Sequence, residues 1–211
     1  MAPDVRLLIF AKAPVPGRVK TRLRSAWGAR GACFWYKRLL DATVQVAVES
    51  GVAPVELWCT PGRSHPRLRS LARRYDLPMH VQSPGDLGDR MLDSGRQVLR
   101  RADAVMIIGA DCASLTAIEL NRAVNGLEVG HDLVLKPATD GGYMLIGFRR
   151  AVPGLFRGVA WGSASVLRQT RGRMRRARLR TLELPPGEDA DLPADVRQLL
   201  RRGFLRPWSG P

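Results

Sequence analysis

Short apolar runs alternate along this chain with segments of helical periodicity. Leu7, Leu8, Ile9 and Phe10 make an unbroken apolar stretch that predicts a buried strand over residues 5–11. In "GARGACFWYKRLLDATVQVAVES", Trp35, Leu39, Ala42 and Val46 recur at i, i+4, i+7 and i+11, one face of a helix. "PVELWCT" predicts a second strand, "HPRLRSLARRYD" a short basic helix and "MHVQ" a third strand. "SPGDLGDRMLDSGRQVLRRA" reads as a glycine-bearing turn leading into a helix, and "AVMIIG" as a central strand buried on both faces.

The next helix has a start that can be argued chemically. Thr116 and Glu119 have the spacing of a capping box, and Leu120, Ala123, Val124 and Leu127 form the apolar stripe behind it. "DLVLKPATDGGYMLIGF" predicts two strands around a polar glycine turn. "SASVLRQTRGRMRRA", "RLRTLEL" and "PADVRQLLRR" read as helix, strand and helix, the last with Pro193 in its first turn. This alternation predicts an α/β fold: a mostly parallel sheet with helices on both faces, three layers in one domain over residues 1–211.

Composition supports a globular chain, with 45% apolar residues in 211. Cys33, Cys59 and Cys112 form neither a metal pattern nor a disulfide framework, which suits a reducing cytoplasm. The first apolar run is too short to span a membrane, and no signal-peptide cleavage pattern follows it. The formal net charge of +15 raises the possibility of a polyanion partner. However, the densest run, "RQTRGRMRRARLR" (168–180), lacks interleaved aromatics for stacking bases, so nucleic acid is not the expected ligand.

In open sheets of this kind ligands bind beyond the carboxyl ends of the strands. That rule gathers the loop after the first strand, "GADCAS" after the 105–109 strand, and the turn "ATDGGY". The loop "AKAPVPGRVKTRL" carries Lys12, Arg18, Lys20 and Arg22, two of the chain's four lysines among them. Pro14 and Pro16 limit the entropy lost on ordering the loop around a ligand, and Gly17 lets backbone approach it. A helix beginning near Val19 would add free N–H groups, so the loop is either an anion-binding element or a solvated connection.

Asp111 lies past an apolar strand and before a capped helix, where a carboxylate has no packing role. It could hold the loop, or hold Mg²⁺ or Mn²⁺ together with substrate phosphates. Other chemistries are poorly supported. "GRVKT" lacks the glycines of a P-loop, G-x-G-x-x-G and G-x-S-x-G are absent, and His65, His80 and His131 have no ligand spacing.

Five ordered motifs sharpen the picture: "LLIFAKAPVPGRVKTRL", "GDLGDRM", "IIGADCASLT", "LKPATDGGYMLIG" and "EDADLPADV". Together, over roughly residues 5 to 200, they resemble a bacterial family of candidate glycosyltransferases in the nucleotide-diphospho-sugar transferase superfamily, some of whose members are linked to arsenosugar biosynthesis. More distantly the chain is similar to molybdenum-cofactor and phospholactate guanylyltransferases. The resemblance implies a GT-A fold and a divalent metal, Mg²⁺ or Mn²⁺. It makes Lys12, Gly17, Arg18, Lys20 and Arg22 candidates for phosphate contacts, with Gly88 and Arg90 near the nucleotide. It places Asp111 and Asp191 at the metal, and Asp140 on the acceptor side as a base or second ligand. Two departures are visible: Ala113 stands where the family commonly has proline, and Leu192 replaces the threonine that could cap the last helix.

The expected activity is transfer of a sugar from a nucleoside-diphosphate sugar to a small-molecule acceptor. The alternative in the same groove is nucleotidyl transfer, in which a phosphorylated acceptor attacks an NTP and pyrophosphate leaves. A third reading, a non-enzymatic polyanion-binding protein on the same fold, rests on the arginine run.

Overall fold

The computed structural model describes residues 3–205. Seven strands form one sheet: β1 (Val5–Lys12), β2 (Val55–Thr60), β3 (Met79–Val81), β4 (Ala104–Gly109), β5 (Leu133–Pro137), β6 (Tyr143–Phe148) and β7 (Thr181–Glu183). Their order is β3-β2-β1-β4-β6-β5-β7, and β6 alone of these runs antiparallel to its neighbours β4 and β5. The helices are α1 (Arg24–Glu49), α2 (Pro66–Tyr75), α3 (Leu87–Val98), α4 (Ala117–Glu128), α5 (Pro153–Phe156), α6 (Val166–Arg176) and α7 (Pro193–Arg201).

Side-chain alternation along the central strands explains the layers. Leu7, Ile9 and Ala11 of β1, with Met106 and Ile108 of β4, face a core shared with α1, α2 and α4. Leu8, Val105 and Ile107 face the opposite core with α3, α5 and α6. A strand covered on both sides has no polar face, so the run reads as continuously apolar.

Helix α1 departs from the expected stripe. The sheet-facing residues are Cys33, Tyr36, Leu40, Val44 and Ala47. Trp35 and Leu39, assigned to the core face by their spacing, instead pack with Val196 and Leu199 of α7. The helix is therefore buried on two sides, which a single-stripe reading cannot resolve. The capping box at Thr116 is present, with the Glu119 N–H donating to Thr116 Oγ1 and the Thr116 N–H donating to Glu119 Oε2. The last helix lacks the threonine cap, but Asp195 Oδ2 accepts the Leu192 N–H at 2.6 Å and the Asp191 N–H at 3.1 Å. This is the half of a capping box that survives without a hydroxyl, while the Asp195 N–H goes to the Leu192 carbonyl at 3.0 Å.

Candidate active site

The carboxyl edge of the sheet collects the three expected segments. Phe10 of β1 pairs with Gly109 of β4, so the loop after β1 and the turn carrying Asp111 start side by side. Because β6 is antiparallel, the β5–β6 turn with Asp140 opens at the same edge.

The loop after β1 is held by backbone contacts. Tyr36 of α1 clamps Lys12 twice: the Lys12 N–H donates to the hydroxyl at 2.8 Å, and the hydroxyl donates to the Lys12 carbonyl at 3.0 Å. One turn earlier, the Cys33 thiol donates to the Pro14 carbonyl at 3.0 Å. Val15-Pro16-Gly17-Arg18 closes a turn by its Arg18 N–H to Val15 carbonyl bond. Gly17 has φ of 80° there, the third-position conformation of a type II turn that only glycine adopts freely. No helix begins at Val19, which is buried; a short 3₁₀ turn spans Thr21–Leu23 instead. The expected donation by N–H groups of a helix beginning at Val19 is thus replaced by a turn that aims side chains.

Lys20 precedes that turn in the left-handed conformation, φ 44° and ψ 49°. Its side chain, 6% exposed, places Nζ 2.6 Å from Asp111 Oδ2 and 2.6 Å from Asp191 Oδ1. Arg22 Nη1 reaches the other oxygen, Asp191 Oδ2, at 2.8 Å. Burial works against the Lys20 ammonium, but the two carboxylates outweigh it and hold its pKa above the ordinary value. Burial likewise favours a neutral Asp111, and Lys20 overrides it, lowering the Asp111 pKa. Gly109 leaves room for this geometry, since a Cβ there would lie 2.8 Å from Asp111 Oδ1.

Asp191 arrives on a segment fixed from several directions. Buried Lys136 bonds Glu119 Oε1 at 2.6 Å and the Pro185 carbonyl at 2.8 Å. Gly187 bridges Ala138 beside β5, and the Ser114 hydroxyl donates to the Glu188 carbonyl at 2.6 Å. This delivers Asp189 and Asp191 to the same space as Asp140, with one carboxylate oxygen of each within 4.8 Å of the others. Asp140 Oδ1 also accepts the Gly142 N–H at 2.8 Å, so it serves the turn as well. Among the described residues Asp189 has no hydrogen bond or ion pair; burial, then Asp140 and Asp191, push its pKa up to about 6.

Two cavities meet at this point. The first, about 490 Å³, is lined by Lys12, Arg18, Lys20 and Arg22 together with Phe10 and Tyr36. The second, about 220 Å³, is lined by Asp140, Asp189, Tyr143, Met144, Trp161 and Ser163. Arg22, Leu87, Gly109, Asp111 and Asp191 border both.

The structure therefore brings together Lys12, Arg18, Lys20, Arg22, Asp111, Asp140 and Asp191. Gly17, Gly88 and Arg90 are not on the lining of either cavity. Gly88 is a packing position: a Cβ would lie 2.4 Å from the Phe156 carbonyl oxygen and 2.6 Å from Trp161 Nε1. Arg90 Nε donates to the Gly85 carbonyl at 3.0 Å and braces the loop before α3. Asp111 and Asp191 are joined through the Lys20 ammonium, and the carboxylate triad is completed by Asp189 rather than Asp111. Asp189 escaped the sequence reading, although its place two residues before Asp191 was a signal. Tyr36 and Trp161 had none, because both read as helix or loop apolar residues. Within the arginine run, Arg171 pairs with Glu183, and Arg173 bonds the carbonyls of Gly154, Arg157 and Gly158. Among the described residues no helix is long and apolar enough to cross a membrane.

Three hard oxygen donors within reach of one another fit Mg²⁺ or Mn²⁺. The Asp189 carboxylate strengthens the fit, since Lys20 offsets only part of the repulsion it feels from Asp140 and Asp191.

Comparison with solved structures gives the architecture wider context. A candidate nucleotide-diphospho-sugar transferase from Desulfovibrio desulfuricans G20 is 32% identical, with a TM-score of 0.85 over 96% of this chain and 88% of that one. A nucleotidyl transferase from Methanothermobacter thermautotrophicus shares the fold at 16% identity, with a TM-score of 0.64 over 96% and 98% of the two chains. Rv0371c from Mycobacterium tuberculosis, solved with manganese, shares it at 18% identity, with a TM-score of 0.56 over 94% and 98%. No curated protein matches the sequence. A family model matches residues 43–163, a span that holds Asp111 and Asp140 but neither the loop after β1 nor Asp191. The chain belongs to that family, described as "Uncharacterized protein conserved in bacteria (DUF2064)".

Proposed function

We propose that this protein is a divalent-metal-dependent transferase with a nucleotide-activated donor, moving a sugar from a nucleoside-diphosphate sugar to a hydroxyl acceptor. The observation that carries the reading is the Lys20 ammonium, seated 2.6 Å from both Asp111 and Asp191 at the seam between a basic and an acidic cavity. The likeness to the Desulfovibrio protein supports the same donor class.

The chain's own residues divide the work. Lys12, Arg18 and Arg22 line the larger cavity and neutralise the diphosphate, with the Arg forks suited to phosphate oxygens. Lys20 stays protonated because of its two carboxylates, so it presents a fixed positive charge near the leaving group. The Tyr36 clamp holds the loop in place before the donor arrives, which reduces the ordering cost of binding. Asp140, Asp189 and Asp191 would hold the metal. When bound, it would offset the negative charge that builds on the departing nucleoside diphosphate.

A thermal-shift screen of nucleotides and nucleotide sugars, with and without Mn²⁺, tests the reading directly. Stabilisation by a nucleoside-diphosphate sugar that requires Mn²⁺ supports it. Release of pyrophosphate from an NTP and a phosphorylated acceptor would establish nucleotidyl transfer instead. Steeply salt-dependent RNA binding that no nucleotide displaces would favour the polyanion-binding alternative.

A further inference from the structure

We infer that the acceptor is a small, uncharged polyhydroxy compound, of monosaccharide or polyol size, bound in the cavity walled by Tyr143 and Trp161. This rests on the donor reading above and adds the chemistry of the second substrate. The first ground is the difference in charge between the adjoining cavities. The donor side carries four cationic side chains against Asp111 and Asp191. The other side adds Asp140 and Asp189 to the shared Asp111 and Asp191, which Lys20 and Arg22 already engage. Two positive charges from a metal would still leave that cavity with no surplus cation. A phosphorylated acceptor brings about two negative charges of its own and would find no free cation among the described residues of that cavity to offset them.

Size and surface point the same way. At about 220 Å³, the cavity lies below the roughly 300–1,000 Å³ of pockets that enclose drug-sized ligands. One ring or a short polyol fits; a nucleotide does not. Tyr143 and Trp161 meet edge-on, with ring centroids 6.2 Å apart and planes at 84°, next to Met144. Aromatic and thioether surface accepts the C–H face of a polyol, while carboxylate oxygens accept its hydroxyl protons. Gly88 permits this wall, because any Cβ there would displace Trp161.

The reaction balances without a further reagent. The acceptor oxygen forms a bond to the anomeric carbon of the donor sugar, and the anomeric bond to the diphosphate breaks. Its electron pair leaves with the nucleoside diphosphate, and the hydroxyl proton passes to solvent.

The test uses matched pairs: glucose with glucose 6-phosphate, glycerol with glycerol 3-phosphate, and inositol with inositol phosphate. Binding is read by saturation-transfer NMR on the full chain with Mg²⁺ and nucleoside diphosphate. Turnover is read as nucleoside diphosphate release from the donor sugar that the thermal-shift screen selects. At least one uncharged member should bind and accelerate release at least tenfold over donor hydrolysis, with its phosphorylated partner at least tenfold poorer. Trp161→Ala should raise the acceptor KM about tenfold while the nucleotide-induced thermal shift persists, and Trp161→Phe should restore most of the loss. Equal or better binding of the phosphorylated members, or no binding of any uncharged member, overturns the inference. Loss of nucleotide-sugar stabilisation in the unaltered chain would instead overturn the donor reading, so the two failures are distinct.

Discussion

Lys20 and Asp191 lie 171 positions apart in the chain, yet the ammonium of one stands 2.6 Å from a carboxylate oxygen of the other. The contact joins the loop after the first strand to the segment before the last helix, and it does so at the seam of the two cavities.

Lys20→Met should uncouple that seam. It leaves Asp111 and Asp191 without their shared cation, although Arg22 still reaches Asp191. Breaking a fully buried pair costs about 3–5 kcal/mol. Because these carboxylates are 33% and 29% exposed, about 1–3 kcal/mol is expected from urea unfolding at pH 7. The pH dependence has a definite sign. The lowered Asp111 pKa contributes stability above its ordinary 3.8 that is lost as pH falls below that value. The raised Lys20 pKa contributes stability below 10.5 that is lost only above it. The variant should therefore show a flatter acid limb; an unchanged one would refute the coupling.

Asp189→Asn should stabilise the metal-free protein. A carboxylate whose pKa is raised from 3.8 to about 6 is held against its preference to ionise, so its contribution turns unfavourable as pH rises from about 4 to 6. After discounting for solvent screening, about 1 kcal/mol remains, or roughly 2–4 °C in Tm at pH 7.5 for a chain of this size. Mn²⁺ should reverse the order by raising the Tm of the unaltered protein and not of the variant. Equal Mn²⁺ shifts in both would remove Asp189 from the metal site.

Tyr36→Phe keeps the packing and deletes both bonds to the Lys12 backbone. The cost should be about 1 kcal/mol in chemical denaturation, since a part-buried N–H and C=O lose their side-chain partner. A looser loop should also weaken nucleotide affinity severalfold by titration calorimetry. Full affinity in the variant would show that the clamp has no part in donor binding.

Gly88→Ala separates wall from lining. The added methyl group meets the Phe156 carbonyl and Trp161, so it should shift Trp161 and raise the acceptor KM more than it alters nucleotide affinity. The reverse split would mean that Gly88 approaches the nucleotide, as the sequence resemblance implies.

Reading the chain in sequence worked where a local rule was sufficient. The capping box at Thr116 and Glu119 and the buried β4 run each follow from neighbours a few residues apart. The two-sided burial of α1 was not legible, because α7 covers Trp35 and Leu39 from a distant part of the chain. The packing of Gly88 against Phe156 and Trp161 was not legible for a related reason: a glycine required by side-chain packing looks the same in sequence as one required by a ligand.

The sequence by itself determined the layered α/β fold and the three segments at its carboxyl edge. Those follow from hydrophobic periodicity and from the rule that ligands bind beyond the carboxyl ends of parallel strands. Only the tertiary structure decided which carboxylate meets which cation. It made Asp111 a partner of Lys20, placed Asp189 with Asp140 and Asp191, and split the edge into a basic and an acidic cavity. The physical reason is range. Periodicity and capping are set within a turn or two, whereas these charges are brought together by strand register and by the anchoring of residues 185–191 through Lys136 and Ser114.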